Sequence, residues 1–381
     1  MKAGRRVGGW AAGSFLWGAI LLSAYPATRL TAQDSQYGIR APGTPGRWES
    51  VRARTTGGAF GPFDPLSPLM EASLADVGHL AATAMAGTSY RDADVGGSSS
   101  ALRATRFPLL LLAGQVSPRL ALAGGFTTYL DRSWDVTIRD SVVLEGAYRS
   151  YTDEITSAGS VADLRLAAAS RLSRHIALGA AVHLLAGSTR ETAERRFDDT
   201  TYHLVQQTSE VRYDGLGVSA SALVGISRGL SVAAWARSDN RLRTKVGEAT
   251  TAETDLPTMA GAGVRFVPSP SVKLAAAVAW RGWSVAGTGP AGEHSFDTWS
   301  WSAGGEFGSG FTPFRLGVRG GQMPFAPATT APTEFAVAAG TGRAFSQGRA
   351  LLDVGVERLE RKGAGLTEHV WTILVGMTIR P

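Results

Sequence analysis

The chain has 381 residues, among them 47 glycines and no cysteine, with 18% charged residues and a formal net charge of +6. The missing cysteines exclude a disulfide framework, a thiolate zinc site and a cysteine nucleophile, and a 44% hydrophobic share is too high for a disordered chain. The +6 raises nucleic acid as a partner, and the first 32 residues remove that reading.

Lys2, Arg5 and Arg6 precede a largely apolar run from Trp10 to Ala24, and small residues follow up to Thr31-Ala32. A basic start, an apolar middle and a small-residue cleavage site after Ala32 predict a secretory signal peptide over 1–32. The alternative, a membrane anchor, is weakened because the run falls short of the ~20 residues a helical span needs. Removing 1–32 deletes four basic residues and no acid, which leaves +2 of the +6 on the mature chain.

Residues 33–78 carry Pro42, Pro45, Pro62, Pro65 and Pro68 among many glycines, a density that disfavours regular strands. A stretch of this length without periodicity is too long for an ordinary connection, so it is either a periplasmic tail or a plug inside a lumen. Phe60, Phe63, Leu66, Leu69 and Met70 give it apolar side chains to bury, which favours the plug and makes these five candidates for ligand contact. Helical periodicity is missing except for a short stretch around Leu66–Ala84.

From residue 79 onward the pattern is alternation. Val272, Leu274, Ala276, Val278 and Trp280 point one way, with Lys273 and Arg281 on the other face. Phe314, Leu316 and Val318 alternate with Arg315, Gly317 and Arg319, and Trp371, Ile373, Val375, Met377 and Ile379 with Thr372, Gly376 and Thr378. A two-residue period means strands with one apolar face. A short turn also repeats: Val116-Ser117-Pro118-Arg119, Leu172-Ser173-Arg174-His175, Ile226-Ser227-Arg228-Gly229 and Val267-Pro268-Ser269-Pro270, with looser versions at 308–313 and 345–349. Each is a hairpin signature, and polar stretches at 131–160, 187–210 and 238–256 join the hairpins at the other end.

Six turns, a first strand near 79–92 and a last near 367–380 predict an all-β fold, a transmembrane antiparallel β-barrel of about 14 strands over 79–381. Short turns at one end and long polar loops at the other are the outer-membrane arrangement. Closure follows because an open sheet edge in hydrocarbon leaves backbone groups unpaired at several kcal/mol each. Trp235, Trp280, Trp299, Trp301 and Trp371 suit interfacial girdles. A soluble sandwich or propeller is the competing architecture, opposed by the apolar outer faces it would expose.

The order of signal peptide, Gly/Pro-rich segment and alternating strands resembles the FadL-type outer-membrane long-chain fatty acid transporters. Leu256-Pro257-Thr258, Gly261–Phe266, Pro268–Pro270 and Lys273–Ser284 are similar to a recurring stretch of that family. Leu69–Leu74 departs from the family's Asn-Pro-Ala, and Pro381 from the terminal aromatic common in such barrels. The resemblance implies passive uptake of hydrophobic molecules, fatty acid-like or aromatic hydrocarbons, across the cell outer membrane by a monomer in contact with outer-membrane lipid. It implies a luminal pocket, a moving plug and an opening in the wall, for which Gly124 and Gly125 in the third strand are gating candidates. Arg165, Arg237 and Arg265, with Arg171, Arg315 and Arg319, fall on lumen faces and offer contacts for a carboxylate; the competing reading pairs them with Asp353, Glu357 and Glu306.

Enzyme signatures are weak. Gly287–Gly292 matches G-x-G-x-x-G by letter but precedes a strand rather than a helix. Asp131, Ser133 and Asp135 lack the glycine and bidentate glutamate of a calcium loop, and neither H-E-x-x-H nor G-x-S-x-G occurs. A barrel hydrolase would have to use Asn240, the chain's one asparagine. The expectation is therefore a transporter without cofactor, metal or nucleic acid. The alternatives are a structural or secretion-associated barrel and, behind it, a barrel hydrolase.

Overall fold

The computed structural model of the chain describes Ser35, Tyr37, Ile39 and residues 42–95, 98–288, 293–308 and 312–380. The expected signal peptide, most of the 287–292 loop and Pro381 lie outside the described residues.

Fourteen strands form the wall. They are β1 (Ala81–Val95), β2 (Ser98–Ser117), β3 (Leu120–Asp131), β4 (Ala147–Arg171), β5 (Ile176–Phe197), β6 (Val205–Gly225) and β7 (Leu230–Asp239), followed by β8 (Thr258–Ser269), β9 (Val272–Arg281), β10 (Thr298–Phe307), β11 (Phe314–Gln322), β12 (Thr333–Phe345), β13 (Ala350–Gly363) and β14 (Leu366–Ile379). Each pairs antiparallel with the next, and β14 returns to β1 from Ala82↔Ile379 to Val95↔Leu366, so the sheet closes. The six turns read from sequence fall between β2 and β3, β4 and β5, β6 and β7, β8 and β9, β10 and β11, and β12 and β13.

Alternation sets what faces out. Trp371, Ile373, Val375, Met377 and Ile379 on β14 are exposed while Leu374 is fully buried, and the same holds for Leu178, Val182 and Leu184 on β5 against His183 and Leu185. This outer band is too continuous for a water-soluble monomer and suits hydrocarbon. Trp299 and Trp301 are 58% and 49% exposed on it, but Trp235 is 9% exposed and faces inward. Its neighbours Ala234 and Ala236 take the outer positions of β7, so Trp235 is no girdle residue.

The polar stretches expected as loops are largely strand. Trp134–Leu144 pairs with the upper part of β4, Arg241–Val246 and Ala249–Asp255 form a hairpin on β6, and β4, β5 and β6 run for 25, 22 and 21 residues. A membrane-crossing strand needs only ~9–11 residues, so more than half of β4 extends the ladder into water. The hairpin joining Leu144 to Ala147 turns on Glu145 (φ 53°) and Gly146 (φ 78°), the positive-φ pair of a type I′ turn. The helical stretch expected around Leu66–Ala84 is a 3-10 turn at Ala72–Asp76, and Ala81–Ala84 already belong to β1. Closure has a direct readout: unboiled protein should migrate ahead of boiled protein in dodecyl sulfate gels, and one unshifted band would contradict it.

Candidate functional site

Residues 42–78 run inside the wall. Thr44–Pro45 pairs with Leu130–Asp131 of β3, a short helix α1 (Val51–Thr55) follows, capped by Ser50 accepting from the Ala53 amide at 3.1 Å, and Ala72–Asp76 leads toward β1. Ala53, Thr55, Thr56, Phe60, Phe63 and Met70 are nearly or fully buried.

The seat for α1 is glycine. Gly304 of β10, Gly317 of β11, Gly340 of β12, Gly355 of β13 and Gly376 of β14 face inward, and a Cβ on any of them would come within 3.0 Å of Val51, Thr55 or Thr56. At Gly317 the obstacle is the backbone of Thr56 and Gly57, which no side-chain rotation relieves. Glycine here serves close approach of two backbones.

Buried ion pairs fasten the segment. Glu357 of β13 receives Arg47 and Arg54, each at 2.9 Å. Glu306 of β10 receives Arg52 at 2.9 Å together with wall residues Lys273 and Arg315 at 2.6 and 2.9 Å. Burial alone would raise the Glu49 carboxyl, but the Arg47 guanidinium and its hydrogen bond outweigh that and bring it down to about 2. A carboxyl depressed from 4.5 to about 2 contributes stability that is present above pH ~4.5 and is lost as pH falls through the lowered value. The contact of Glu49 with Arg47 should therefore survive at pH 4 and weaken only toward pH 2, read by protease protection of residues 42–78; loss of protection already at pH 5 would contradict it.

A second network crosses the lumen. Glu71 accepts from Ser219 and Ser221 at 2.7 and 2.8 Å and pairs with Arg165 at 3.2 Å. Arg237 lies between Asp163 (2.6 Å) and Asp239 (2.8 Å). His183 joins the two groups, with Nδ1 2.9 Å from Asp163 and Nε2 2.8 Å from Ser219. Ser219 thus touches both Glu71 and His183 and links the two groups. Glu71→Ala would strand Arg165 in the interior at a cost of about 3–5 kcal/mol. Amide exchange around residues 70–76 should rise while the barrel remains intact; unchanged protection would refute the anchoring role.

Above this network the rings collect. Trp48 stacks on Tyr129 (5.8 Å, 15°), and Trp283 meets Phe325 edge-on (5.0 Å, 71°). Leu130, Leu242, Leu256 and Met259 belong to the same cluster. The Arg237 guanidinium lies 5.0 Å from both the Trp48 and Tyr129 rings, and Arg281 lies 5.4 Å from Trp48, both within cation–π range. Among the described residues the buried indole nitrogens of Trp48 and Trp283 have no hydrogen-bond acceptor.

The residues singled out by sequence divide. Phe60, Phe63 and Met70 share a cluster with Trp235 and Leu223, with Leu69 packed against it, whereas Leu66 belongs to another cluster with Leu74 and Leu109. Arg165 and Arg237 are engaged by Glu71, Asp163 and Asp239, and Arg265 lies 5.2 Å from the Phe63 ring. Arg315 pairs with Glu306 and Asp353, and Arg319 approaches Glu357, the acids named in the competing reading. Trp48, Tyr129, Trp283, Phe325, Glu71 and His183 were not singled out. Trp48 and Glu71 sit in a segment without periodicity, Trp283 and Phe325 lie in the connections between wall strands, and Tyr129 and His183 reach their partners through the register of the wall.

Gly124 and Gly125 pair on both sides, with Leu112 and Leu111 of β2 and with Leu166 and Arg165 of β4. A Cβ on Gly125 would meet Leu110 and Leu111, so this glycine tightens the ladder instead of opening it. The β2–β3 ladder ends a few residues on. β2 pairs with β3 only between Leu109↔Thr127 and Ser117↔Leu120, and beyond it the freed edge of β3 takes Thr44–Pro45 as its partner. Among the described pairings Ser98–Arg106 has only β1, and Arg106 reaches Asp131 across the split at 2.8 Å.

No family model matches the sequence, and no curated protein matches it. Solved structures do match in fold. A Pseudomonas aeruginosa FadL homologue is 13% identical with a TM-score of 0.64, covering 89% of this chain and 99% of that one. The Ralstonia pickettii toluene transporter TbuX is 12% identical, TM-score 0.57, over 87% and 98%. The Pseudomonas putida toluene transporter TodX is 10% identical, TM-score 0.56, over 88% and 98%. The barrel of this chain therefore has the FadL-type fold.

Proposed function

We propose that this protein is a cell outer-membrane channel for passive uptake of hydrophobic small molecules, exported by residues 1–32, plugged by 33–78 and walled by 79–381. The observation that carries the reading is the aromatic cluster of Trp48, Tyr129, Trp283 and Phe325 inside a lipid-faced barrel. The fold's neighbours include toluene transporters, and stacked rings suit planar apolar molecules, while spare indole donors suit an acyl chain ending in an acceptor. Trp48 belongs to the inner segment, so movement of that segment would dismantle one side of the cluster and release its occupant. The split between β2 and β3 is the side exit toward lipid, and the closed sheet needs no second subunit to cover an edge.

Solvent extraction of the mildly solubilised protein tests this. A stoichiometric apolar molecule should be recovered, and Trp48→Ala with Trp283→Ala should lower the recovery about tenfold, the worth of one or two lost ring contacts. An empty pore that conducts ions freely would overturn the proposal.

A further inference from the structure

At the turn end of the barrel a cup of about 510 Å³ opens between the end of the inner segment and the β4–β5 and β6–β7 turns. Its charged lining is Arg171, Arg174, Arg228 and Arg265 with His175, against one carboxylate, Asp76. Asp76 is engaged by Arg171. None of Arg174, Arg228 and Arg265 makes an ion pair among the described residues, and the floor is apolar, formed by Ala177 and Leu223.

The repeated turn explains why the arginines are there together. Its serines have a structural role: Ser173 accepts from the His175 amide at 3.2 Å and Ser227 from the Gly229 amide at 3.4 Å, the local bond that favours serine in turns. Arg174 and Arg228 do no such work. They are exposed in adjacent turns and line the same space. Cations that repel one another and are not needed by their turns mark a place for an anion.

We propose that this cup binds an oxyanion of the phosphate class, held by Arg174, Arg228 and Arg265. Three guanidinium groups match a tetrahedral group with several acceptor oxygens, and the volume leaves room for an attached glycerol. The source is either free phosphate or the headgroup of a lipid in the adjoining leaflet. Asp76 is the built-in competitor, because an anion in the cup draws Arg171 away from it. The site does not depend on what the channel carries.

The test uses the full chain in a non-ionic detergent, titrated calorimetrically with inorganic phosphate, and in nanodiscs of phosphatidylcholine with or without phosphatidylglycerol, read by native mass spectrometry. Saturable phosphate binding that weakens at least roughly tenfold in Arg174→Ala/Arg228→Ala supports a free-oxyanion site. Retained phosphatidylglycerol that the double variant loses, without phosphate binding, supports the headgroup. Asp76→Asn should tighten whichever ligand binds several-fold; unchanged affinity would place the anion outside the cup. Absence of saturable phosphate together with equal lipid retention in both proteins overturns the proposal. Both arginines are exposed turn residues, and heat-modifiable migration checks that the variants remain closed barrels.

Discussion

A disulfide joining positions 44 and 131 is expected to stop uptake, and its reduction to restore it. Thr44 and Asp131 are register partners where the inner segment takes over the free edge of β3. Opposed residues in an antiparallel pair have Cα atoms about 4.5–5.5 Å apart, inside the roughly 4.4–6.8 Å that a disulfide spans. The chain has no native cysteine to mispair. Thr44 gives up little, since its buried hydroxyl has no partner among the described residues, whereas Asp131 gives up its bonds to Arg106 and to the Ser133 amide. The reduced double variant is therefore the reference, not the wild type. If the segment must leave the wall for a molecule to pass, the oxidised form should take up ligand at least about tenfold more slowly than the reduced form, because the cross-link removes the open state from the equilibrium. Equal rates in the two redox forms would show that the segment stays in place during transport.

Gly317→Val should have the opposite effect. Its side chain would enter the space of the Thr56 and Gly57 backbone, and overpacking of this kind costs about 1–3 kcal/mol. That is roughly a 5- to 150-fold shift toward an unseated segment. On the strand itself valine is well tolerated, because β-branched residues fit a pleated surface. Heat-modifiable migration should persist while residues 42–78 become open to protease and ion conductance in planar bilayers rises. Normal conductance with normal protection would mean that α1 does not depend on the glycine seat.

A second variant separates charge from shape. Glu357→Leu leaves Arg54 without its carboxylate and Arg47 with Glu49 alone, at about 3–5 kcal/mol for a broken buried pair. Adding Arg54→Leu should recover part of the loss in segment protection, since removing both partners spares the uncompensated charge. Additive losses would argue against direct pairing.

The strand count and the six turns were legible because an apolar outer face imposes a period of two wherever lipid is on one side. That signal ends with the lipid. Ala147–Ser157 and Val205–Val211 are as much strand as the rest of β4 and β6, yet with water outside and a polar lumen inside no alternation marks them. Trp235 illustrates another limit, since an aromatic on an alanine-rich strand looks alike from either face, and only the shared burial of Ala233, Trp235 and Arg237 assigns the side. The lumen arginines could be placed inward by parity, but their partners could not be chosen. Arg165 meets Glu71, 94 positions earlier, and Arg237 meets Asp163, 74 positions earlier, through a barrel register that is fixed only on closure. A glycine pair was the sequence's candidate for a break in the wall, whereas the β2–β3 ladder ends where the edge of β3 takes Thr44–Pro45 as its partner.

The glycine seat also imposes an order in time. Its five residues belong to β10 through β14, whereas the segment it receives begins the described chain. The part of the protein that leaves the ribosome early is thus received by surfaces that are made last, and contacts of such sequence separation form slowly. During that interval Arg47, Arg52 and Arg54 are without their wall carboxylates and Phe60 and Phe63 without cover. A chain truncated before β10 would keep much of its wall-forming sequence and have nowhere to put its own beginning.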